Sequence, residues 1–117
     1  MLAEETRDEI LRAAVTGEDV LVVCDTYADA TAALDYVAAG LPPELLERVR
    51  RTNGAQELQP VGGGRVLFRS VRSRGGRGLS VDLVVAPFKL WDELRDELEP
   101  CLAVTGGSVH LYCGGRP

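Results

Sequence analysis

Two apolar runs constrain the fold of this chain more than any other feature. The stretches "DVLVVC" (residues 19–24) and "LSVDLVVA" (residues 79–86) each contain an unbroken apolar segment rich in β-branched residues. A strand of this kind is typical of a parallel sheet that is covered by helices on both faces. The stretch "GSVHLYC" (residues 107–113) predicts another strand near the end of the chain.

Helical patterns occupy the segments between these strands. The stretches "EETRDEILRAAV" (residues 4–15) and "LWDELRDEL" (residues 90–98) place apolar residues at helical spacing. Asp25 and Thr26 can cap another helix, which Gly40 ends. Strands that alternate with helices predict an α/β fold, with a mainly parallel sheet between two helical layers.

The middle of the chain predicts smaller elements. Pro42 and Pro43 suit the start of a short helix over "PELLERV" (residues 43–49). The segments "AQELQ" and "RVLFRS" flank "PVGGG", which predicts a hairpin or a loop between two strands.

Length and composition indicate a single soluble domain over residues 1–117. The chain is 45% hydrophobic, and no apolar run approaches the roughly 20 residues that span a membrane. The acidic start "MLAEETRDEI" lacks the pattern of a signal peptide, so we expect a cytoplasmic protein.

The cysteines and the single histidine favour neither a metal site nor a disulfide framework. Cys24, Cys101 and Cys113 lie far apart, and no CxxC or histidine spacing accompanies them. One hypothesis for function is an enzyme with Cys24 or Cys113 as its nucleophile. It has little support, because His110 and Cys113 should lie on opposite faces of a strand.

Charge is distributed unevenly along this acidic chain. Residues 1–47 carry eleven acids and two bases, whereas residues 48–77 carry eight arginines and one acid. The basic middle is compatible with an anion or nucleic-acid contact, with internal pairing of opposite charges, and with a solvated face.

The order of several motifs resembles the ATPase domain of large terminase subunits, the motors that package DNA into the heads of tailed phages. The matching segments run from about Asp8 to Gly115 and are "VLVVCDTYADATAAL", "RTNGAQELQPVGGGRVLFRS", "GGRGLSVDLVV" and "VHLYCGGRP". The resemblance implies a RecA-like P-loop core in which the first helix follows the phosphate-binding loop, with Thr6 near the place of its hydroxyl.

Two departures from the family pattern predict a catalytically inactive domain without a cofactor. No Gly-Lys-Ser/Thr occurs in the chain, and we expect the Walker A strand and loop to be missing before the first helix. Pro87 and Phe88 stand where the resemblance places the magnesium-ordering aspartate and the water-activating glutamate. Asp82 cannot replace these acidic residues, because it lies at the start of its strand, whereas ligands of such sheets bind at the carboxyl ends of the strands.

The resemblance also places the missing strand beside "SVHLYC". Without it, Val109, Leu111 and Tyr112 would line an open sheet edge, which can pair with another chain. The alternative is that the tail "CGGRP" or the first helix covers this edge.

We therefore expect a non-catalytic, terminase-like interaction protein encoded by a phage or prophage. Its partner would be a terminase, a host factor or a second copy in a homodimer, and its role regulatory or inhibitory. The alternative is a DNA-binding module. Its candidate contacts are Arg65, Arg69, Arg72, Arg74 and Arg77. The overall acidity and the lack of interleaved aromatic residues make nucleic acid the less favoured partner.

Overall fold

Six strands form one mixed sheet in the computed structural model, which describes residues 2–52, 56–71 and 79–113. The strands are β1 (Val20–Cys24), β2 (Leu46–Arg50), β3 (Gln56–Pro60), β4 (Val66–Ser70), β5 (Leu83–Pro87) and β6 (Ser108–Tyr112). Their spatial order is β2–β3–β4–β1–β5–β6, in which β4, β1, β5 and β6 are parallel and the β2–β3 and β3–β4 pairs are antiparallel.

Helices cover both faces of this sheet. They are α1 (Glu4–Val15), α2 (Tyr27–Ala39) and α3 (Trp91–Leu98). The apolar cluster on one face joins α1 and α2 to the sheet, and the cluster on the other joins α3 and the 3₁₀ turn after it. The predicted three-layer α/β architecture is therefore confirmed. No helix among the described residues is long and apolar enough to cross a membrane.

The strand β1 occupies the centre of the sheet, and all five of its residues are buried. It pairs in parallel with β4 on one side and with β5 on the other. Val20 and Val22 face α1 and α2, whereas Leu21 and Val23 face α3. Both faces of the strand need apolar side chains, which explains the unbroken run in the sequence.

The prediction of a short helix over "PELLERV" is wrong beyond its first turn. Residues Pro43–Leu45 form a single 3₁₀ turn, and β2 follows at once. Leu46 and Val49 pack against the α1–α2 cluster from this strand, and antiparallel pairing with β3 binds its backbone. A long-range pairing that local propensity does not reveal therefore decides the conformation.

The hairpin predicted around "PVGGG" is confirmed as the antiparallel pair of β3 and β4. Its last glycine lies against the segment that enters β1. A Cβ atom on Gly64 would stand 2.0 Å from the carbonyl oxygen of Glu18. Only glycine allows the two backbones to approach this closely.

Two aspartates join the strands at their amino ends. The carboxylate of Asp82 accepts a 2.8 Å hydrogen bond from the backbone N–H of Asp19, and the backbone N–H of Asp82 donates to the carbonyl of Asp19 at 2.8 Å. The carboxylate of Asp19 in turn accepts from the N–H of Arg65 at 3.2 Å. This network fixes the entry into β1, β4 and β5.

Replacing Asp82 with alanine should destabilise the fold. The variant leaves the partly buried N–H of Asp19 without its side-chain acceptor, which should lower the free energy of unfolding by about 1–3 kcal/mol. Urea denaturation followed by circular dichroism measures the change. The matched control is Asp92→Ala, which removes a 92% exposed carboxylate and should change stability by less than about 0.5 kcal/mol. Equal stability of the two variants would contradict a structural role for Asp82.

Candidate functional site

The carboxyl ends of the parallel strands enclose a small cavity. In open α/β sheets ligands bind at this end, and here β1 ends at Cys24 and β6 ends at Tyr112. The cavity measures about 160 Å³ and is lined by Leu2, Cys24, Asp25, Asp29, Ala32, Ala33 and Tyr112. Ligand sites commonly measure roughly 300–1,000 Å³, so this cavity is small for a nucleotide.

The charge of the cavity is unfavourable for phosphate. Its charged lining residues are the carboxylates Asp25 and Asp29, and the ammonium group of Lys89 binds Asp25 at 3.0 Å from outside the lining. A polyphosphate here would meet these two carboxylates, and no described lining residue of the cavity carries a positive charge. The described part of the chain also contains no cluster of three histidine, cysteine or acidic residues arranged to hold a metal ion.

The residues that the sequence analysis compared with catalytic groups of the resembling family do not line this cavity. Pro87 is buried at the end of β5, and Phe88 follows it with 68% of its surface exposed. Thr6 is buried in α1, where its hydroxyl shares a 3.1 Å hydrogen bond with Nε2 of His110. Asp82 lies at the amino end of β5, at the opposite end of the sheet from the cavity.

Cys24 and Tyr112 form the buried floor of the cavity. The hydroxyl of Tyr112 donates a 2.7 Å hydrogen bond to the carbonyl of Val23, and its ring belongs to the apolar cluster on the α1–α2 face. Burial raises the pKa of the Cys24 thiol to about 11, and burial likewise raises the pKa of Tyr112. At neutral pH Cys24 is therefore a protonated, weakly nucleophilic thiol, which removes support from the nucleophile hypothesis for this residue.

The structure separates the candidate anion contacts. Arg65 and Arg69 stand at opposite ends of β4, four residues apart, or roughly 13 Å in an extended strand. Arg65 lies 4.0 Å from the carboxylate of Asp19, and the guanidinium of Arg69 donates to the backbone carbonyls of Gln56 and Phe68 at 2.8 and 2.9 Å. The predicted contacts Arg72, Arg74 and Arg77 lie outside the described residues.

Arg48 and Arg50 are not among the predicted site residues, but they lie on the same sheet face as Arg65 and Arg69. Arg48 pairs with Gln59 and Arg50 with Glu57, so both side chains lie on the face opposite Val49 and Leu58. Arg65 and Arg69 share that face with Leu67. The apolar cluster around α3 contains no residue of β2 or β3, so the described helices leave this face of the two strands uncovered. The alternation Arg-x-Arg after Leu46 was the available signal, hidden by the helical interpretation.

The predicted edge strand β6 pairs only with β5 among the described strands. The N–H of Ser108 donates to the carbonyl of Asp82, so by alternation Ser108 and His110 turn their backbone groups toward β5. Val109 and Leu111 consequently turn theirs outward. Helix α1 contacts the face of β6 through Thr6 and His110, and the side chain of Tyr112 is 7% exposed. By the same alternation Tyr112 turns its backbone groups toward β5, and its ring is buried, so the outward backbone groups of this edge come from Val109 and Leu111.

Comparison with solved structures identifies the fold. The chain superposes on the ATPase domain of the large terminase of Thermus phage P74-26 with a TM-score of 0.57 and 20% sequence identity, over 92% of this chain and 51% of that one. The chain has a terminase ATPase-like fold. A point mutant of the same domain gives a TM-score of 0.55 and 19% identity, over 92% of this chain and 52% of the mutant.

The likeness confirms the RecA-like core expected from the sequence motifs. The chain spans about half the length of these terminase domains, and the low identity establishes the fold alone. No protein-family model and no curated protein sequence matches the chain.

The cysteines of this terminase-like fold should differ in reactivity. With iodoacetamide at pH 7.5, the exposed Cys113 should be alkylated first, and the buried Cys24 only after unfolding. Because burial raises the pKa of Cys24 to about 11, its native labelling should increase only as the pH approaches that value. Peptide mapping by mass spectrometry measures both rates. Equal labelling of Cys24 and Cys113 at pH 7.5 would restore the nucleophile hypothesis.

Proposed function

We propose that this chain is a non-catalytic, terminase-like domain that acts by binding another polypeptide along β6. The observation that carries the proposal is the edge of this strand, where Val109 and Leu111 turn their backbone donors and acceptors outward. Such groups pair readily with an added strand, either from a different protein or from a second copy.

The chemistry at the carboxyl end of the sheet supports the non-catalytic part of the proposal. Phosphoryl transfer needs a phosphate-binding loop, a magnesium ligand and a group that positions the attacking water. The chain has no Gly-Lys-Ser/Thr, and a buried proline followed by an exposed phenylalanine occupies the end of β5. The small cavity beside them carries carboxylates where a nucleotide would bring phosphates.

A domain of this kind fits a regulatory or inhibitory role in the cytoplasm of a phage-infected or prophage-carrying host. Its fold resembles that of a DNA-packaging motor, so a terminase is one candidate partner and a host factor is the other. Both require the same exposed edge, which makes the edge the part of the molecule to test first.

The proposal predicts that blocking the edge removes partner binding without unfolding the domain. Val109→Pro deletes an outward N–H that β5 does not use, and proline is tolerated at such edge positions. Affinity capture from host cells with mass spectrometry should recover a partner with the unmodified protein and lose it with this variant. Val109→Ala keeps the N–H and is the matched control, which should retain the partner.

Two results would contradict this function. One is a partner that Val109→Pro retains as fully as the unmodified protein while circular dichroism shows both to be folded. The other is magnesium-dependent ATP hydrolysis by the purified chain that Val109→Pro leaves unchanged.

A DNA-binding module is the second candidate function, favoured by the arginines on the α3-side face of β2, β3 and β4, of which Arg48 and Arg50 on β2 are exposed. Arg48, Arg50, Arg65 and Arg69 share this face with the acidic residue Glu57. No hydrogen bond or ion pair engages the side chains of Arg48 and Arg50 within residues 2–52, 56–71 and 79–113. Exposed guanidinium groups of this kind are suited to phosphate contacts.

If this face binds duplex DNA, affinity should fall steeply with salt, and each lost phosphate contact should flatten that dependence. Arg48→Ala and Arg50→Ala should each reduce the slope of log K against log salt by about 1, measured by fluorescence anisotropy. Arg51→Ala is the matched control, because Arg51 forms an ion pair with Asp35 on α2. Equal slopes for all three variants would exclude this face as the contact.

A further inference from the structure

A solvent-open groove runs beside β6 on the α3 side of the sheet. It encloses about 850 Å³ between the edge strand and the helical segment formed by α3 and the turn after it. Val109 and Leu111 form its floor, because they pair with Val84 and Ala86, which belong to the apolar cluster under α3. Trp91 and Ala103 contribute apolar surface from the opposite wall.

The same two residues of β6 offer two kinds of contact. Val109 and Leu111 direct their backbone groups outward in the plane of the sheet and their side chains into the groove. A strand laid along β6 would form hydrogen bonds with these outward backbone groups. Every second side chain of that strand would contact the side chains of Val109 and Leu111. The edge and the groove therefore fit one extended polypeptide.

The helical segment that borders the groove is acidic. It carries five carboxylates, those of Asp92, Glu93, Asp96, Glu97 and Glu99, against the single guanidinium of Arg95. Of these charged groups, Asp96, Glu99 and Arg95 line the groove itself. Arg95 is already engaged, at 3.1 Å from Asp92 and 3.8 Å from Glu99. Asp96 lines the groove and forms no ion pair with another described residue.

This charge distinguishes between the occupants of the edge. A second copy paired symmetrically with β6 in antiparallel fashion would bring a second acidic α3 to the same side of the joined sheet. A peptide with lysine or arginine would instead place cations beside the carboxylates of Asp96 and Glu99. The charge complementarity favours the basic peptide.

We infer that β6 and its groove bind an extended segment of another protein, with apolar residues at every second position and basic residues beside them. The segment adds to the sheet as a seventh strand, its apolar side chains resting on Val109 and Leu111. This inference rests on the proposed function and specifies the chemistry of the partner.

Selection from a random nine-residue peptide library on the immobilised protein tests the inference. The enriched peptides should alternate apolar positions and carry lysine or arginine. Their affinity, measured by fluorescence anisotropy, should fall about tenfold or more in Val109→Pro, because one backbone hydrogen bond is lost. Val109→Ala should bind more tightly than Val109→Pro, and Asp96→Asn should weaken basic peptides specifically.

Three outcomes would overturn the inference. One is enrichment of peptides without alternation or basic residues, and another is equal binding to the unmodified protein and Val109→Pro. The third is a homodimer that Val109→Pro dissociates and that excludes peptides, seen by sedimentation. That last result would overturn the basic-peptide inference while leaving the proposed edge-binding function intact. If neither peptide binding nor edge-dependent association is seen, both the basic-peptide inference and the proposed edge-binding function are contradicted.

Discussion

The burial of β1 on both faces is the constraint on which the rest of this structure depends. Each valine or leucine that leaves water completely contributes about 1.5–3 kcal/mol, and β1 supplies four such side chains in succession. This gain requires an apolar layer on each face and a paired strand on each side. The α1–α2 layer, the α3 layer, β4 and β5 satisfy these requirements, and β6 is added one strand farther out.

Much of this arrangement could be predicted because the central strands and the helices carry strong local signals. The unbroken apolar run of β1 has few alternative structures, and Thr26 caps α2 as expected, accepting a 3.0 Å hydrogen bond from the N–H of Asp29. The strand β2 was missed for a physical reason. Its Leu46 and Val49 stand three residues apart, a spacing that suits a helix, and a β-bulge before Arg48 breaks the alternation that marks a strand.

The candidate site was less predictable because it depends on distances between segments. The sequence indicates that Val109 and Leu111 lie on a strand, but the hydrogen-bond register with β5 decides which backbone groups point outward. Likewise, Arg65 and Arg69 are neighbours in the sequence, whereas extended geometry and their separate partners prevent them from forming one compact contact. The acidic lining of the cavity required knowledge of how α2 packs beside β1.

Two surfaces of opposite charge lie on the same side of the sheet, and their separation connects the two candidate functions. The arginine face covers β2 to β4, whereas the acidic α3 segment borders the groove along β6.

The ion pairs of Arg51 and Arg65 join the basic middle to carboxylates in the first third of the chain, so internal pairing accounts for part of the charge asymmetry. It does not account for Arg48 and Arg50, or for Asp96 at the groove. None of these three side chains forms an ion pair with another residue in the described ranges, so a partner that binds them would break no ion pair seen there. A basic strand bound at β6 would neutralise the acidic side of the domain and make its net charge more favourable for an anion at the arginine face.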